Sequence, residues 1–269
     1  MNLMASKRII ALFISVVLIL SSLTSCGKTE EELIGLAENE LAKRPYTVEV
    51  DLEYRCNDTE ISGVFEQLED TYTVIYVDGK ELRAVKDLSI SIDKDDYRFV
   101  DSYTVIDGTV YCENVYYADG IPHAKKNMAL ISNDQTRILF GDIAVIGDVS
   151  ASDFYDVTQV KNGKKSVITY NGASESAIIA LENAMVSQLE LEAGSGSVVK
   201  AKSLEMTVEI KGKRYESITL MCDYLVTLSG KTYEVSMTAE LEFDYDETFD
   251  ITRPADFGEY NNVNIDTIL

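Results

Sequence analysis

From Tyr233 to Phe243 every second residue is apolar and every residue between is polar. Tyr233, Val235, Met237, Ala239, Leu241 and Phe243 alternate with Glu234, Ser236, Thr238, Glu240 and Glu242. A period of two fits an extended strand that buries one face and wets the other. The same period runs through Val48, Val50, Leu52, Tyr54 and Cys56 against Glu49, Asp51, Glu53 and Arg55, and again through Leu204, Met206, Val208 and Ile210. Ile218, Leu220, Cys222, Tyr224, Val226 and Leu228 repeat it once more. One-sided strands belong to antiparallel sheets, because parallel sheets are covered on both faces.

Turn signals punctuate the rest. Asp78-Gly79, Asp107-Gly108, Asp119-Gly120, Asn162-Gly163 and Asn171-Gly172 suit the positive φ angles of tight hairpins. Between them, residues 72–77, 97–106, 109–117, 154–160 and 166–170 are rich in Tyr, Val, Ile and Thr, and they read as an antiparallel meander.

Two stretches change to helical period. Thr29-Glu30-Glu31-Glu32 has the form of a capping box, and Leu33, Leu36, Ala37 and Leu41 recur on one face before Pro45, which predicts a helix over about 30–43. Ser174 stands ready to cap a second helix, striped by Ile178, Leu181, Met185 and Leu189 and stopped by Gly194. The segment 128–148 is less regular, and 133–140 could form a short helix closed by Gly141. The expected fold is α+β: a large twisted antiparallel sheet, half-barrel-like, with about two helices on its apolar face.

The segment ahead of Cys26 has a different design. Lys7 and Arg8 precede an apolar run from Ile9 to Leu20. That run falls short of the ~20 residues a spanning helix needs, and it suits the apolar part of an export signal. Leu23-Thr24-Ser25-Cys26 follows, and it resembles the lipobox that ends the signal peptide of bacterial lipoproteins. The resemblance covers residues 1–26. It implies that the Cys26 thiol takes a diacylglyceryl group, that cleavage precedes it, and that the product is tethered to a membrane on its extracytoplasmic side. Two acyl chains anchor stably where one does not. The competing readings are an uncleaved anchor or a plain secretory signal with a chance cysteine. The expected organisation is a signal peptide over 1–25, a tether over 26–28 and one α+β domain over 29–269.

Losing Lys7 and Arg8 with the signal takes the net charge from −22 to −24. Such a chain repels nucleic acid and anionic headgroups, which argues against DNA, RNA or polybasic lipid recognition. Cys56, Cys112 and Cys222 are an odd number and cannot all pair within one chain. Each lies in a strand pattern, which reads as three small buried hydrophobes, with a Cys56–Cys112 bridge as the alternative.

Catalytic signatures are sparse. His123, the single histidine, stands by the Asp119-Gly120 turn and reads as a solvated loop residue. No Gly-x-Ser-x-Gly elbow, H-E-x-x-H or C-x-x-C occurs. Gly194-Ser195-Gly196-Ser197 follows a helix instead of leading into one, and it lacks the Lys of a phosphate-binding loop. Asp93, Asp95 and Asp96, and Asp244, Asp246, Glu247 and Asp250, could offer oxygen ligands to calcium, yet neither group has the frame of an EF-hand. Both read as solvated acidic faces. Carboxylate-only hydrolysis needs just two acids, and 46 are present, so composition leaves it open. The expected protein is non-enzymatic and binds neither metal nor cofactor.

An early helix, a long meander, an inserted helix and late long strands, with Ile251-Thr252-Arg253-Pro254 closing the sheet, look like the carrier fold of envelope lipid-binding lipoproteins. That resemblance implies a hydrophobic ligand sheltered between sheet and helices, and a membrane reached through the lipid on Cys26. The other reading is an envelope interaction module with a solid core, whose 16 tyrosines serve a contact surface.

Overall fold

The computed structural model describes residues 28–56, 58, 71–92, 95–118, 120–144, 149, 151–193, 197–246 and 249–269. Helix α1 (Glu30–Leu41) leads into β1 (Tyr46–Cys56), β2 (Thr71–Asp78), β3 (Glu81–Ile92), β4 (Asp95–Ile106), β5 (Thr109–Ala118) and β6 (Ile121–Leu130). After helix α2 (Asn133–Ile143) come β7 (Phe154–Asn162), β8 (Lys165–Ala173), helix α3 (Glu175–Ala193), β9 (Val198–Lys211), β10 (Arg214–Leu228) and β11 (Lys231–Asp244). A two-residue strand, β12 (Asn261–Asn262), ends the series.

The described strands all belong to one open sheet, in the order β12-β6-β5-β4-β3-β2-β1-β11-β10-β9-β8-β7. The sheet is two meanders sewn together at β1 and β11. That seam is the pairing of Val48 with Phe243, Val50 with Leu241 and Leu52 with Ala239, where the two alternating patterns place apolar against apolar. Every pairing described is antiparallel except β12 with β6. Of the expected tight turns Asp107-Gly108 takes the full expected form, and Ser229-Gly230, which was not anticipated, shares it. Asp107 and Gly108 take φ of 52° and 68°, and Ser229 and Gly230 take 50° and 81°. These are the mirror-image turns whose twist matches the strands they join.

Among the described residues three helices cover the sheet, one more than the two expected. The Thr29–Glu32 capping box forms, with both hydrogen bonds at 3.3 Å, and Leu33 and Ala37 are buried. Ser132 and Gln135 make the same box for α2. This helix runs through Gly141, which is buried within it and does not close it. For α3, Ser174 accepts the Ala177 N–H at 3.2 Å, as its position promised. The helix lies mainly over β9 and α1 over β10. A carboxylate ties the layers together. β9 and β10 slip register between Asp223 and Tyr224, and the Ala201 N–H donates to Glu182 Oε1 of α3 at 2.9 Å.

Three expectations are corrected. Asn171 and Gly172 lie within β8 and make no turn. Gly172 holds φ of 69° against the Tyr155 side chain, 3.6 Å from the point where a Cβ would stand. His123 is in β6, not a loop. Residues 251–254 form no strand and close nothing; Ile251 is buried, and the sheet is not closed into a barrel. Strands β3 and β6 were not anticipated.

Candidate functional site

The apolar face carries two clusters of buried side chains. Under α1 and α3, one gathers Leu52, Tyr54, Leu181, Met185, Leu220, Tyr224 and Met237 with their neighbours. Under α2, the other gathers Val48, Val50, Ile75, Leu82, Val110, Leu139 and Leu241. Half-buried Ile218 and Phe243 pack against both. The first cluster is packed solid: Leu181 exposes 0% and Met185 2% of its surface. Their sequence neighbour in the stripe, Leu189, has no described side chain.

The helices leave a gap at the seam. There a cleft of about 500 Å³ opens between the end of α1, the middle of α2 and the sheet. Leu41 of α1 and Phe140 of α2 face it from above. Val77, Leu82, Ile218, Leu241 and Phe243 supply the floor, with Tyr46 at one end. Glu38, Lys80, Glu81 and Arg137 are its charged residues, and Glu38, Lys80 and Arg137 are exposed, so charge gathers at the rim. Among the described residues neither Lys80 nor Arg137 makes an ion pair.

Tyr215 and Phe243 also border a second hollow of about 540 Å³, with Glu40, Lys211, Lys213, Arg214, Glu216 and Tyr245. The Arg214 guanidinium lies 5.2 Å from the Tyr245 ring centroid, a cation–π distance. Arg44 donates to Glu40 Oε1 at 2.7 Å. Burial pushes the Tyr245 hydroxyl up to about 12, against the opposing pull of nearby Arg214 and Arg44. The Tyr46 and Tyr215 hydroxyls are raised as well, by burial first, so all three phenols stay protonated across the physiological range.

Cys26 and the signal segment 1–25 lie outside the described residues, as do Asp93, Glu247 and 194–196 of the glycine-rich stretch. Asp95 and Asp96 are in β4, but nothing is described of their side chains. Asp244 accepts the Asp246 N–H at 2.8 Å, a local turn bond. No three His, Cys, Asp or Glu side chains among the described residues are arranged to hold a metal ion. Cys56, Cys112 and Cys222 are free, which removes the Cys56–Cys112 bridge. Burial pushes the Cys112 thiol up to about 11 and Cys222 to about 12. The exposed His123 ring lies 6.3 Å from that of Tyr116 on the neighbouring strand. The cleft uses none of these residues. Its side chains come from α1, from α2, whose Ser132–Gln135 box was an available signal, and from strands in which Ile218, Leu241 and Phe243 read only as core while Leu82 lies in the unanticipated β3.

No helix among the described residues is long and apolar enough to cross a membrane. No protein-family model matches the chain, and no curated protein does. Solved structures similar to it include a fusion DH domain, at 12% identity and a TM-score of 0.14, over 57% of this chain and 65% of that one. The dehydratase domain from the CurK module of the curacin polyketide synthase matches at 10% identity and 0.15, over 79% and 78%. An N-terminal dehydratase from the difficidin assembly line gives 10% and 0.15, over 78% and 81%. The chain thus spans just under two thirds of the first of these, and superpositions this loose carry no argument about fold or chemistry.

Proposed function

We propose that this protein is a lipid-anchored extracytoplasmic lipoprotein that holds a hydrophobic ligand, without chemistry, in the cleft between α1, α2 and the sheet. The observation that carries the reading is the cleft itself. Its volume falls in the ~300–1,000 Å³ range of small-molecule sites, its floor is apolar, and its charges stand at the rim. That distribution suits an acyl chain or similar apolar body within and a polar end at the mouth. Among the described residues neither Ser, Cys nor His lines it, and its Glu38, Lys80 and Arg137 stand at the exposed rim, away from the apolar floor. Anchoring rests on the lipobox at Leu23-Thr24-Ser25-Cys26.

One observation favours the second reading, an envelope interaction module: the cluster beneath α3 is solid. The two readings part in native mass spectrometry of the mature protein purified from cells. The carrier reading expects a lipid-sized adduct beyond the anchor's own mass, released on denaturation; its absence favours the module. For the anchor, Cys26→Ala should leave the chain unlipidated and either released or trapped as precursor. Membrane fractionation with a retained lipid mass would contradict it.

A further inference from the structure

Strand β7 is an edge strand, and it is bare. After Phe154 every residue of it is exposed, Tyr155 at 74% and Val160 at 66%. Its outer row of backbone groups faces no strand among the described residues. Alternation puts Tyr155, Val157, Gln159 and Lys161 on one side of the strand. The start of the described chain reaches that side: the Gln159 side-chain amide donates to the Lys28 carbonyl at 3.4 Å. Cys26 is two residues earlier, and two residues span at most ~7 Å. Lipid on Cys26 would therefore enter the bilayer on the order of 15 Å from β7, once the Gln159 side chain is added to that reach.

The charge of the region is also unlike that of the whole. The β7–β8 and β9–β10 turns meet where the Gly212 N–H donates to the Lys164 carbonyl at 3.0 Å. This brings Lys161, Lys164, Lys165, Lys211, Lys213 and Arg214 to one corner of a chain with net charge −22. Lys165 and Lys211 are neutralised by Glu209 and Glu216. Lys161, Lys164, Lys213 and Arg214 make no ion pair among the described residues. Net charge alone argued against anionic headgroups; the fold gathers these cations at one corner, a few residues along β7 from the Gln159–Lys28 contact. Glu30, Glu31 and Glu32 open α1 directly after the tether, and Glu40 shares the hollow with Lys213 and Arg214.

We propose that the β7 edge and this basic corner form the face on which the anchored protein rests against anionic bilayer headgroups. The inference rests on lipidation at Cys26 and is independent of the ligand cleft. Lys161, Lys164, Lys213 and Arg214 meet the headgroup charge, and Tyr155 sits at the depth where amphipathic rings collect. An open strand edge cannot enter hydrocarbon, where its N–H and C=O groups would go unsatisfied, so the seat is at headgroup level and no deeper. The acidic remainder of the molecule is repelled from the same surface, which orients the protein in addition to tethering it.

The test uses the mature lipidated protein in a Cys56→Ser background, incorporated into phosphatidylcholine vesicles with about a third phosphatidylglycerol, matching the anionic surface invoked. An environment-sensitive fluorophore is attached at Tyr155→Cys or, on the far edge, at Ile121→Cys, and nitroxide lipids serve as quencher. Quenching at 155 should exceed that at 121 several-fold. The combined Lys161→Glu, Lys164→Glu and Lys213→Glu changes should erase the difference while the protein stays vesicle-bound and melts unchanged. Equal quenching at both sites, or a difference indifferent to charge reversal, overturns the seat. So does a Tyr155 site already shielded in a dimer before incorporation, which would give the edge to a second copy. A parent protein that never enters vesicles overturns the anchoring beneath the inference and the inference with it.

Discussion

Tyr215 and Phe243 stand with ring centroids 5.5 Å apart and planes at 33°, a tilted pair on neighbouring strands that walls the apolar cleft from the basic hollow beside it. Phe243 also meets Tyr46, at 6.0 Å, and so supports the end of the cleft as well as its floor. Phe243→Ala should join the two hollows. Because the ring is only half-buried, its loss should cost less than the ~3–5 kcal/mol of a fully packed Phe. Affinity for a fluorescent fatty-acid probe should fall all the same. Urea midpoints and probe titration of the variant check both halves.

Leu181 gives the opposite behaviour. It is fully buried beneath α3, away from the cleft. Leu181→Ala should therefore leave a cavity and cost roughly 2–5 kcal/mol. Probe affinity should stay at the parent's value. The urea midpoint should drop with the slope unchanged, the mark of altered stability without altered compactness.

Cys112 and Cys222 should resist alkylation in the native protein. The thiolate is the reactive species, and burial holds these thiols at about 11 and about 12. At pH 8 both should label only after denaturation, as counted by intact-mass spectrometry, while half-buried Cys56 labels first. Rapid native labelling of Cys222 would mean that its strand face is assigned wrongly.

Lys126 ties the C-terminal segment to β6. Its ammonium donates to Asp256 and, at 3.0 Å, to Glu259. The Lys126 hydrogen bond holds Asp256 below its ordinary carboxylate value. A depressed acid contributes stability above its unfolded pKa of ~4, and that contribution is lost as pH falls through the lower folded value. Acid should therefore loosen β12 before it melts the sheet. The Val263 N–H donates to the Met128 carbonyl at 3.0 Å. Its exchange protection, corrected for intrinsic rate, should be lost below about pH 4. Lys126→Met should bring the same loss at neutral pH.

The strands with strict alternation, β1, β9 and β11, could be read from sequence because polar or charged residues on one face and apolar ones on the other leave one register. β10 was legible through its inward row alone, with Met221 and Leu225 on its other face. β3 and β6 could not. In β3, half-buried Lys86 stands between buried Ala84 and Leu88 in the core-facing series. In β6, buried Asn127 faces inward while Ile121 and Leu130 are exposed, which inverts the pattern. Pairing on both sides, to β5 and to β12, holds that strand in place of an amphipathic signal. The helix α1 was legible through Thr29 and Glu32; α2 carries the same kind of box at Ser132 and Gln135, and its buried Gly141 mimics a stop within the helix. The cleft was least legible of all. It exists where Leu41 and Phe140 fail to close over Ile218, and a gap between distant elements has no local sequence pattern.

The central claim is that this gap holds a hydrophobic ligand, and it is tested most directly by titrating a fluorescent fatty-acid probe into the delipidated parent protein and into Thr136→Trp. Thr136 lines the cleft from α2 and is half-buried, so an indole there fills the space while the fold is spared. The account predicts saturable, one-site binding by the parent and its loss in Thr136→Trp at unchanged melting temperature. No saturable binding by the parent would contradict it and leave the interaction module standing.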